Sequence, residues 1–453
     1  MVKTFPLVRR GQNEVIAYLL KPIANFGLAA GKVDVNTFLS HVRAVAAALG
    51  EGKHAINMCD NRYLFLVSFC AVVLRRHINL LPATKNTFTQ HQLNEAYADT
   101  YIIHDGVDIA TPIPSIDLRK LTLNNAHDSS LGIPQIPNKH LACITFTSGS
   151  TGQSKPILKY WRTLHCSTAI NYRYMIPKTD NTIFQLATMP AQHMWGLETS
   201  ILMPLFENVC MSDVKPLFPQ DIFDSLRSLP APRLLVSTPI HLRAISVGSA
   251  DDLSLHAVLC ATSPLAPDLA QEIELKFAAP LLEVYGCSEV GSMAVRETAR
   301  ERNWLRFDDI HFEKDGEDTV VSAKHLPEST LLQDNIDIID EQHFTLRGRT
   351  TDLVKIAGKR GSLFEINQVL LQFKGLVDGI VIYPNTNNAI TRLCAIVALK
   401  PGYDKLTLRR FLREHLDSAF VPRPIHVVDT LPRESNGKLL KTRVEDLLKS
   451  LKK

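Results

Sequence analysis

A short polar loop carries the first residues whose types and spacing suit chemistry. Residues 144 to 155 read ITFTSGSTGQSK, the end of a β-branched strand followed by Ser, Thr and Gly and closed by Lys155. Glycines let backbone N–H groups converge on phosphate oxygens and a lysine adds positive charge, so this composition favours binding of a polyphosphate such as ATP. A flexible surface loop is the alternative for a Ser/Gly run that stands alone. A Walker loop is disfavoured, because two residues rather than four separate Gly149 from Gly152 and no Gly-Lys pair follows.

Three further segments carry reactive side chains near predicted strand ends. Residues 285–289 read YGCSE: the ring can stack on a purine, the serine can bind phosphate and Glu289 can hold Mg²⁺, although a turn that caps a following helix is the alternative. Residues 190–196 read PAQHMWG and predict a pocket wall around His193, which as a lone histidine is alternatively structural. Residues 432–438 read PRESNGK, a lysine-bearing loop that Asn-Gly turn chemistry could equally make a hairpin.

The elements that must position these residues alternate between helices and strands. Apolar residues share one helical face over 35–49, and a buried helix is predicted over 63–74. Short apolar runs predict strands at 54–58, 78–81, 182–187, 234–237, 257–260, 281–285 and 343–346. The chain is also expected to be helical after Pro156. This rhythm predicts an α/β fold with mainly parallel sheets flanked by helices, and sites at the loops beyond the strand ends.

Length and composition set limits on the class of protein. A chain of 453 residues predicts two or three domains. Its most apolar run, Tyr63 to Leu74, spans twelve residues, fewer than the roughly 20 that a membrane helix needs. The N-terminal residues show no signal-type apolar core, so a cytoplasmic location is expected. The eight cysteines form no CxxC pair for zinc and are expected to be reduced core thiols.

The charge is distributed unevenly along the chain. The overall net charge is +4, but residues 350–453 hold 18 Lys and Arg against 10 Asp and Glu, a net +8. Residues 1–349 therefore carry a net −4. A solvated basic surface is one interpretation of this surplus. A surface that receives an acidic partner or a phosphate-rich ligand is the other.

Taken together, the motifs resemble those of the adenylate-forming (AMP-binding) superfamily, in its branch of acyl- and aryl-CoA synthetases and acyl-carrier-protein ligases. The resemblance extends from about residue 35 to residue 443. Residues 147–155 are similar to the phosphate-binding motif TSGSTGxPK, with Ser154 in place of proline. Residues 261–264 (ATSP) stand where the superfamily has its GGAP adenine loop, with both glycines missing. Residues 283–289 match EGYGxTE, with serine replacing threonine.

The second half of the motif set lies toward the C-terminus. Asp334 precedes Gly348 by fourteen residues, the separation between the superfamily's ribose-binding aspartate and its Gly-Arg pair, which makes Arg349 a second ribose or phosphate contact. Lys355, Gly358 and Glu365 fit KxxGxxxxxxE. Lys438 falls at the place of the catalytic lysine.

The resemblance implies a role for each matched residue. It assigns ATP binding to Thr147, Ser148, Gly149, Ser150, Thr151, Gly152, Lys155, Thr262, Ser263, Glu283, Tyr285, Gly286, Ser288, Asp334 and Arg349. It assigns catalysis to Lys438 and Glu289, with Glu289 also as the metal ligand. It assigns the substrate pocket to His193, Trp195 and Gly196, and the thiol-transfer face to Lys355, Gly358 and Gly361.

The implied architecture is a large α/β domain over 1–348, a hinge at 349–352 and a small, mobile α+β domain over 353–453 that carries the catalytic lysine. Two departures from the superfamily pattern stand out. The hinge position that generally holds Asp or Lys has Thr351, so the hinge is expected to behave differently. The stretch between Asp309 and Asp334 is short and lacks the usual Gly-Tyr signature, which predicts a reduced lid over the nucleotide.

The implied reaction uses ATP and Mg²⁺ to convert a carboxylic acid to acyl-AMP with release of pyrophosphate. The acyl group is then transferred to the phosphopantetheine thiol of an acyl carrier protein, or alternatively to free CoA. His193 resembles the gating residue of the acyl pocket in acyl- and aryl-CoA ligases, which favours an acid without an amino group. Trp195, together with the moderate chain length, favours an aromatic or short acid, as in the aryl-polyene and xanthomonadin-type hydroxybenzoate ligases that this chain resembles most. Alternatives are a non-catalytic relative that binds a nucleotide or acid, and an enzyme that stops at acyl-AMP or oxidises it. No nucleic acid and no membrane span are expected.

Overall fold

The structure is a computed structural model of the chain. It describes residues 3–106, 109, 112–121, 132–147, 155–248, 250, 252–316, 318–349, 352–356, 358–384, 392–434 and 437–451. The loop residues 148–154 and the hinge residue Thr351 lie outside the described residues.

The helices and strands alternate through the first two thirds of the chain. The α-helices are α1 (Val35–Ala48), α2 (Arg62–Leu74), α3 (Thr87–Ala96), α4 (Trp161–Met175), α5 (Met194–Leu197), α6 (Met203–Phe206), α7 (Pro219–Ser228), α8 (Pro239–Ser246), α9 (Pro267–Phe277), α10 (Leu363–Leu371), α11 (Lys405–His415) and α12 (Lys441–Ser450). Short 3₁₀ turns lie at Ala24–Phe26 and Leu118–Lys120, and a π-helical turn, Glu198–Leu202, joins α5 to α6.

The strands extend over the whole chain. They are β1 (Thr4–Pro6), β2 (Val15–Leu19), β3 (Gly31–Asp34), β4 (His54–Asn57), β5 (Ile78–Leu81), β6 (Thr100–His104), β7 (Ser115–Asp117), β8 (Gln135–Pro137), β9 (Leu141–Thr147), β10 (Lys155–Tyr160), β11 (Ile183–Ala187), β12 (Val209–Ser212), β13 (Arg233–Ser237), β14 (Ala257–Cys260), β15 (Leu281–Cys287), β16 (Gly291–Arg296), β17 (Trp304–Arg306), β18 (Ile310–Asp315), β19 (Asp318–Ala323), β20 (Thr330–Leu332), β21 (Asp334–Ile338), β22 (His343–Arg349), β23 (Leu353–Ile356), β24 (Lys359–Ser362), β25 (Leu376–Ile382), β26 (Cys394–Leu399) and β27 (Ile425–Val427).

A six-stranded sheet in the order β10-β9-β5-β4-β6-β7 holds the strand that leads into the polar loop. Its pairs are parallel except for β9 with β10, which are antiparallel, so the loop between them joins two paired strands. The predicted helix after Pro156 is wrong over 156–160, and α4 begins at Trp161. The cause is alternation: Ile157 and Lys159 are buried while their neighbours are not, a period of two that suits a strand.

An eleven-stranded sheet in the order β21-β22-β17-β16-β15-β14-β13-β11-β12-β2-β3 forms the second layer. Its centre, from β15 to β2, is parallel, while both ends are antiparallel. The carboxyl ends of parallel strands meet at one edge, so the segments after β11, β13, β14 and β15 are brought together. The α/β prediction is confirmed, and α2 is the buried helix expected from 63–74.

Strands β18 to β20 and the region beyond residue 352 form smaller units. Strands β18, β19 and β20 make an antiparallel sheet in the short stretch where a reduced lid was predicted. Beyond residue 352, the pair β23-β24, the sheet β25-β26-β27 and helices α10 to α12 enclose two hydrophobic clusters of their own. Among the residues that the structure describes, no helix is long and apolar enough to cross a membrane. All eight cysteines are free thiols, and six of them are buried.

Candidate active site

An aspartate, an arginine and a tyrosine form the polar centre of the site. Asp334 begins β21 and Arg349 ends β22, and the two residues are direct partners in the antiparallel ladder. Arg349 Nε lies 3.0 Å from Asp334 Oδ1, and the Tyr285 hydroxyl donates to Asp334 Oδ2 at 2.9 Å. Burial and the Asp334 carboxylate raise the pKa of Tyr285 above its ordinary value, so the phenol stays a donor. The fourteen-residue separation noted in the sequence is therefore the register of one hairpin.

Lys438 lies in a turn of the C-terminal region that rests on the large sheet's helices. A Cβ on Gly437 would come 3.2 Å from Ile240 and 3.4 Å from Thr238 Oγ1, at the start of α8. Burial, and next the Arg349 charge, lower the pKa of Lys438, while Glu434 and Glu289 act in the opposite direction. The structure thus brings together Lys438, Arg349 and Glu289, which are far apart in the sequence.

The turn that carries Lys438 is anchored by an arginine that the sequence interpretation missed. Arg433 forms two contacts with Asp378, at 2.6 and 2.7 Å, and donates to the Gly437 carbonyl at 2.7 Å. A bridge between Arg433 and Leu439 closes the turn, as a hairpin would. Asn436, on which the turn prediction rests, lies outside the described residues. The signal available in the sequence was an arginine one residue after Pro432 in an otherwise polar loop.

The loop at residues 261–264 follows β14 and contains an unusual backbone. Thr262 has φ of +88°, in the left-handed region that glycine favours, and the superfamily motif has glycines in this loop. Its hydroxyl is buried and has no hydrogen-bond partner among the described residues. This loop lies next to strand β15, which carries Tyr285. A buried hydroxyl without a partner at this place could donate a hydrogen bond to a ligand such as the nucleotide.

Glu283 supports this loop from within the protein. It accepts hydrogen bonds from the Leu265 N–H at 3.0 Å and from Thr298 Oγ1 at 2.6 Å, and pairs with Arg296 at 2.7 Å. Its side chain is 3% exposed. These contacts engage both carboxylate oxygens, so the structure places Glu283 behind the loop as a positioning residue.

Residues 285–289 form a hairpin between β15 and β16, so the alternative of a helix-capping turn is wrong. Gly286 packs so closely on Gly291 that a Cβ would collide with the Gly291 carbonyl. Ser288 and Glu289 are half-buried in the turn. The Glu289 carbonyl accepts a hydrogen bond from Lys159 Nζ at 2.8 Å. The backbone of the proposed metal ligand is therefore fixed from β10.

Lys159 belongs to a buried polar group that sequence reasoning did not find. The lysine is 1% exposed, and burial lowers the pKa of its ammonium. Glu198, in the π-helical turn, accepts from Asn171 at 3.1 Å and from the Ser292 hydroxyl at 2.7 Å. Strands are recognised by apolar residues at every second position, and a charged lysine at a buried position does not fit that pattern. The sequence therefore did not reveal this group.

The residues predicted to form the acid pocket follow the carboxyl end of β11. Gly196 is required there, because a Cβ would collide with the Pro190 carbonyl. Trp195 is 7% exposed and its indole N–H donates to the Ser237 carbonyl at 3.3 Å, so most of the ring serves the core. The imidazole of His193 is half-buried. Burial, followed by Lys438, Lys215 and Lys85, lowers its pKa to about 4, so it is neutral at pH 7.

The remaining predicted residues are distributed as follows. The phosphate-loop residues Ser148, Gly149, Ser150, Thr151 and Gly152 lie outside the described residues, as does the side chain of Thr147; Lys155 is exposed at the start of β10, and Ser263 is half-buried. Lys355 is exposed, Gly358 has φ of +81° and Gly361 packs on Phe420. These last three residues share β23, β24 and the turn between them, away from the Lys438 turn in sequence.

No group of three or more His, Cys, Asp or Glu side chains suited to a metal ion occurs in the described part of the chain. A Mg²⁺ ion on Glu289 would therefore need oxygen ligands from a bound phosphate. This donor set fits Mg²⁺, which usually takes one or two carboxylates together with substrate phosphates and water.

Comparisons with known proteins identify the family of the chain. A family model described as AMP-binding enzyme matches residues 35–310, and a second, AMP-binding enzyme C-terminal domain, matches residues 365–438. The chain is 18% identical over 309 residues to a 3,4-dihydroxybenzoate–[aryl-carrier protein] ligase of Bacillus anthracis, covering 67% of this chain and 73% of that protein. It is 22% identical over 387 residues to a 2-succinylbenzoate–CoA ligase of Staphylococcus epidermidis, covering 76% and 80%.

Solved structures show the same fold. ATP-bound MatB from Rhodopseudomonas palustris superposes with a TM-score of 0.79 at 17% identity, covering 99% of this chain and 98% of that one. The o-succinylbenzoate coenzyme A synthetase from Bacillus subtilis, in complex with ATP and magnesium ion, gives 0.80 at 16% identity, covering 98% and 100%. The match runs across both the large and the small parts of the chain.

Proposed function

The chain belongs to the AMP-binding enzyme family and is an AMP-forming acid–thiol ligase, and on that premise we propose that its acid is aromatic and its acceptor a carrier protein. The acid would be a hydroxybenzoate or hydroxycinnamate. The acceptor would be the phosphopantetheine thiol of an acyl carrier protein. The observation that carries the assignment of the chemistry to these residues is the packing of the Lys438 turn on the start of α8, where Gly437 lies beside Thr238 and Ile240 and Lys438 comes within electrostatic range of Arg349 and Glu289.

In the first half-reaction, an oxygen of the acid's carboxylate forms a bond to the α-phosphorus of ATP, and the bond from that phosphorus to the bridging oxygen of pyrophosphate breaks. Both reactants are anionic, so catalysis consists mainly of positioning and charge neutralisation. We assign Lys438 to bridge the carboxylate and the α-phosphate, where negative charge accumulates. Asp334 would accept the ribose hydroxyls, with Tyr285 and Arg349 fixing its two oxygens.

Other parts of the site would hold the rest of the nucleotide. The loop 148–152 and Lys155 are assigned to the β- and γ-phosphates, and Mg²⁺ would neutralise charge between Glu289 and those phosphates. The orphaned hydroxyl of Thr262 lies in the loop assigned to adenine. In the second half-reaction the thiol sulfur attacks the acyl carbon and AMP leaves. We propose that the small domain rotates about 349–352 so that Lys355, Gly358 and Gly361 face the adenylate.

The aromatic acid is supported by His193 and by what the relatives are named for. A neutral imidazole at the pocket gate presents no charge to an uncharged ring. The B. anthracis relative is a dihydroxybenzoate ligase and the S. epidermidis relative a succinylbenzoate ligase. CoA is the competing acceptor, since the second of these proteins is a CoA ligase.

Acid-dependent exchange of labelled pyrophosphate into ATP tests the acid class directly. Benzoates and cinnamates should support exchange at least about tenfold better, in kcat/KM, than fatty acids of matched carbon number, the scale of a well-filled pocket. Thioester formation with carrier protein and with free CoA then decides the acceptor. Exchange with fatty acids only, or equal rates with CoA, would refute the corresponding part of the proposal.

A further inference from the structure

Two buried charged side chains lie behind the turn that carries Glu289. Lys159 is on strand β10 and is 1% exposed, and Glu198 begins the π-helical turn and is 2% exposed. Neither residue belongs to the motifs that resemble the superfamily pattern. Removing a charged group from water is costly, and an apolar side chain of similar volume would serve the core at least as well. Core stability alone therefore does not explain their burial.

Lys159 holds the backbone of Glu289 itself. Its Nζ donates a hydrogen bond to the Glu289 carbonyl at 2.8 Å. Strand β10 is paired with β9 along its length, so the lysine projects from a fixed backbone. A carbonyl held in this way limits rotation of the peptide that follows Glu289. The direction in which the Glu289 side chain leaves the turn is limited with it.

Glu198 holds the same segment three residues later, at Ser292. One carboxylate oxygen accepts a hydrogen bond from the Ser292 N–H at 3.1 Å, and the other accepts from the Ser292 hydroxyl at 2.7 Å. Asn171 Nδ2 donates to the first oxygen at 3.1 Å, so the carboxylate is itself tied to helix α4. The approach is close, because a Cβ on Gly291 would collide with Glu198 Oε1. Residues 289–292 are thus held from two different elements.

The position of this turn decides whether both buried charges keep their partners. Moving the turn would take a hydrogen-bonding partner away from Lys159 and from Glu198, which is costly in a buried site. The two charges also compensate each other in part. Burial lowers the pKa of Lys159 and raises that of Glu198, and each charge acts on the other in the opposite direction. The turn therefore has one strongly preferred position.

We propose that Lys159 and Glu198 are positioning residues for Glu289. They hold residues 289–292 from two sides, so that the Glu289 carboxylate is presented at one place to the Mg²⁺ that accompanies ATP. Replacing a residue that orients a metal ligand without touching the metal commonly weakens metal binding by about 10- to 100-fold. The inference rests on the proposed function, because it takes Glu289 as the carboxylate that holds Mg²⁺.

The test measures ATP binding by titration calorimetry, once with excess Mg²⁺ and once with EDTA. Lys159→Met removes the donor to the Glu289 carbonyl at nearly constant volume. It should raise the Kd for ATP about tenfold with Mg²⁺ and leave it unchanged with EDTA, because only the metal-dependent part of binding uses Glu289. Lys178→Met is the matched control, since Lys178 is exposed between α4 and β11, and it should behave as wild type in both titrations.

A matched pair of variants tests the contact at Ser292. Glu198→Met removes both acceptors of Ser292, whereas Glu198→Gln keeps an acceptor for the Ser292 N–H and a group that can bond to its hydroxyl. Glu198→Met should therefore raise the Kd with Mg²⁺ about tenfold, and Glu198→Gln should retain most of the affinity. Equal losses by the two variants would mean that these hydrogen bonds do not position the turn.

The titration with EDTA separates positioning from a general defect of the site. A Kd for ATP that rises equally with Mg²⁺ and with EDTA would show that the nucleotide site as a whole is disturbed, and this result would overturn the proposal. Thermal unfolding identifies variants that do not fold. Ser292→Ala, which removes one hydroxyl, then gives the same comparison with a smaller change and should raise only the Kd with Mg²⁺.

The variant Glu289→Gln distinguishes a failure of this inference from a failure of the proposed function. If Glu289→Gln weakens binding with Mg²⁺ whereas Lys159→Met and Glu198→Met do not, Glu289 keeps its assigned role and the positioning role is refuted. If Glu289→Gln changes neither Kd, the assignment of Mg²⁺ to Glu289 fails first and the positioning role fails with it. Combined with Glu289→Gln, Lys159→Met should cause no further loss with Mg²⁺, as expected for residues that act through one group.

Discussion

Thr262 holds a backbone conformation that a β-branched residue seldom adopts. Its φ of +88° costs on the order of 1–2 kcal/mol for a residue with a Cβ, and its buried hydroxyl has no partner among the described residues. Strain and an unsatisfied polar group at one position are characteristic of a ligand-binding site. Threonine in place of the superfamily's glycine therefore adds a hydrogen-bonding group, but it strains the backbone, because a residue with a Cβ disfavours a positive φ.

A substitution series at Thr262 separates these two effects. Thr262→Ser should keep the KM for ATP, whereas Thr262→Ala and Thr262→Gly should raise it several-fold, because both remove the hydroxyl. Thr262→Gly should be more stable to unfolding than Thr262→Ala by up to about 1 kcal/mol, because glycine accepts a positive φ. Calorimetry and pyrophosphate-exchange kinetics measure the two quantities. An unchanged KM in Thr262→Ala would show that the hydroxyl contacts no nucleotide.

Lys438 is the residue whose removal should split the two half-reactions. Lys438→Ala should abolish acid-dependent pyrophosphate exchange, because the charge that bridges carboxylate and α-phosphate is lost. Thioester formation from supplied acyl-AMP should persist near the wild-type rate, since that step is assigned to another face of the small domain. Lys374→Ala is the control, as Lys374 is exposed on the same domain. Loss of both half-reactions together would contradict this division of labour.

Strand β10 illustrates what the sequence conveys about an element and what it conceals. The sequence predicts a helix after Pro156, and α4 begins at Trp161. The strand before it is not predicted, because a buried lysine at 159 breaks the apolar half of the alternation. For the loop 432–438 the sequence favours neither of two alternatives, a catalytic loop or a hairpin. Its hairpin depends on Asp378, more than fifty residues earlier, which local patterns do not reveal.

The hairpin that carries Lys438 should depend on the Arg433–Asp378 pair. Arg433→Met and Asp378→Asn should each lower kcat for pyrophosphate exchange about tenfold with little change in KM for ATP, because they loosen the lysine without touching the nucleotide site. The double variant should be no worse than either single one, as expected for two residues that act through one contact. Unaltered thioester formation from acyl-AMP would confirm a positioning role. Equal losses in both half-reactions would indicate a general folding defect instead.

At the scale of the whole molecule, alternation of helix and strand was enough to predict the α/β class, since it follows from local periodicity. Contacts in the site could be predicted only between residues of one hairpin, such as Asp334 and Arg349, because their spacing in the sequence sets their pairing. The Lys159 group combines residues from several segments of the chain, and no local sequence pattern predicts that they meet. The resemblance assigns a catalytic role to Lys438 but does not predict the packing of its turn against α8, because contacts between two parts of a chain leave no periodicity in the sequence.

The small domain also presents a cluster of arginines to solvent. Arg392, Arg413 and Arg423 are exposed, and the charge of Arg409, followed by those of Arg413 and Arg392, lowers the pKa of Arg423. Neighbouring positive charges repel one another, and this repulsion is reduced when an acidic partner binds. The net charge of +8 over residues 350–453 is thus concentrated in part on one surface, which suits an acidic carrier protein.

Charge reversal on this surface distinguishes a carrier protein from free CoA as the acceptor. The double variant Arg413→Glu/Arg423→Glu should raise KM for carrier protein about tenfold or more and leave pyrophosphate exchange unchanged, because mutual attraction steers the carrier to the domain. Wild-type transfer to carrier protein should slow as salt rises from about 0.05 to 0.5 M, since screening shortens the reach of surface charges to a few ångströms. Lys374→Glu, which alters charge outside the cluster, should behave as wild type. If the double variant transfers to carrier protein normally and wild-type transfer is insensitive to salt, the arginine surface does not dock the acceptor, and CoA becomes the better assignment.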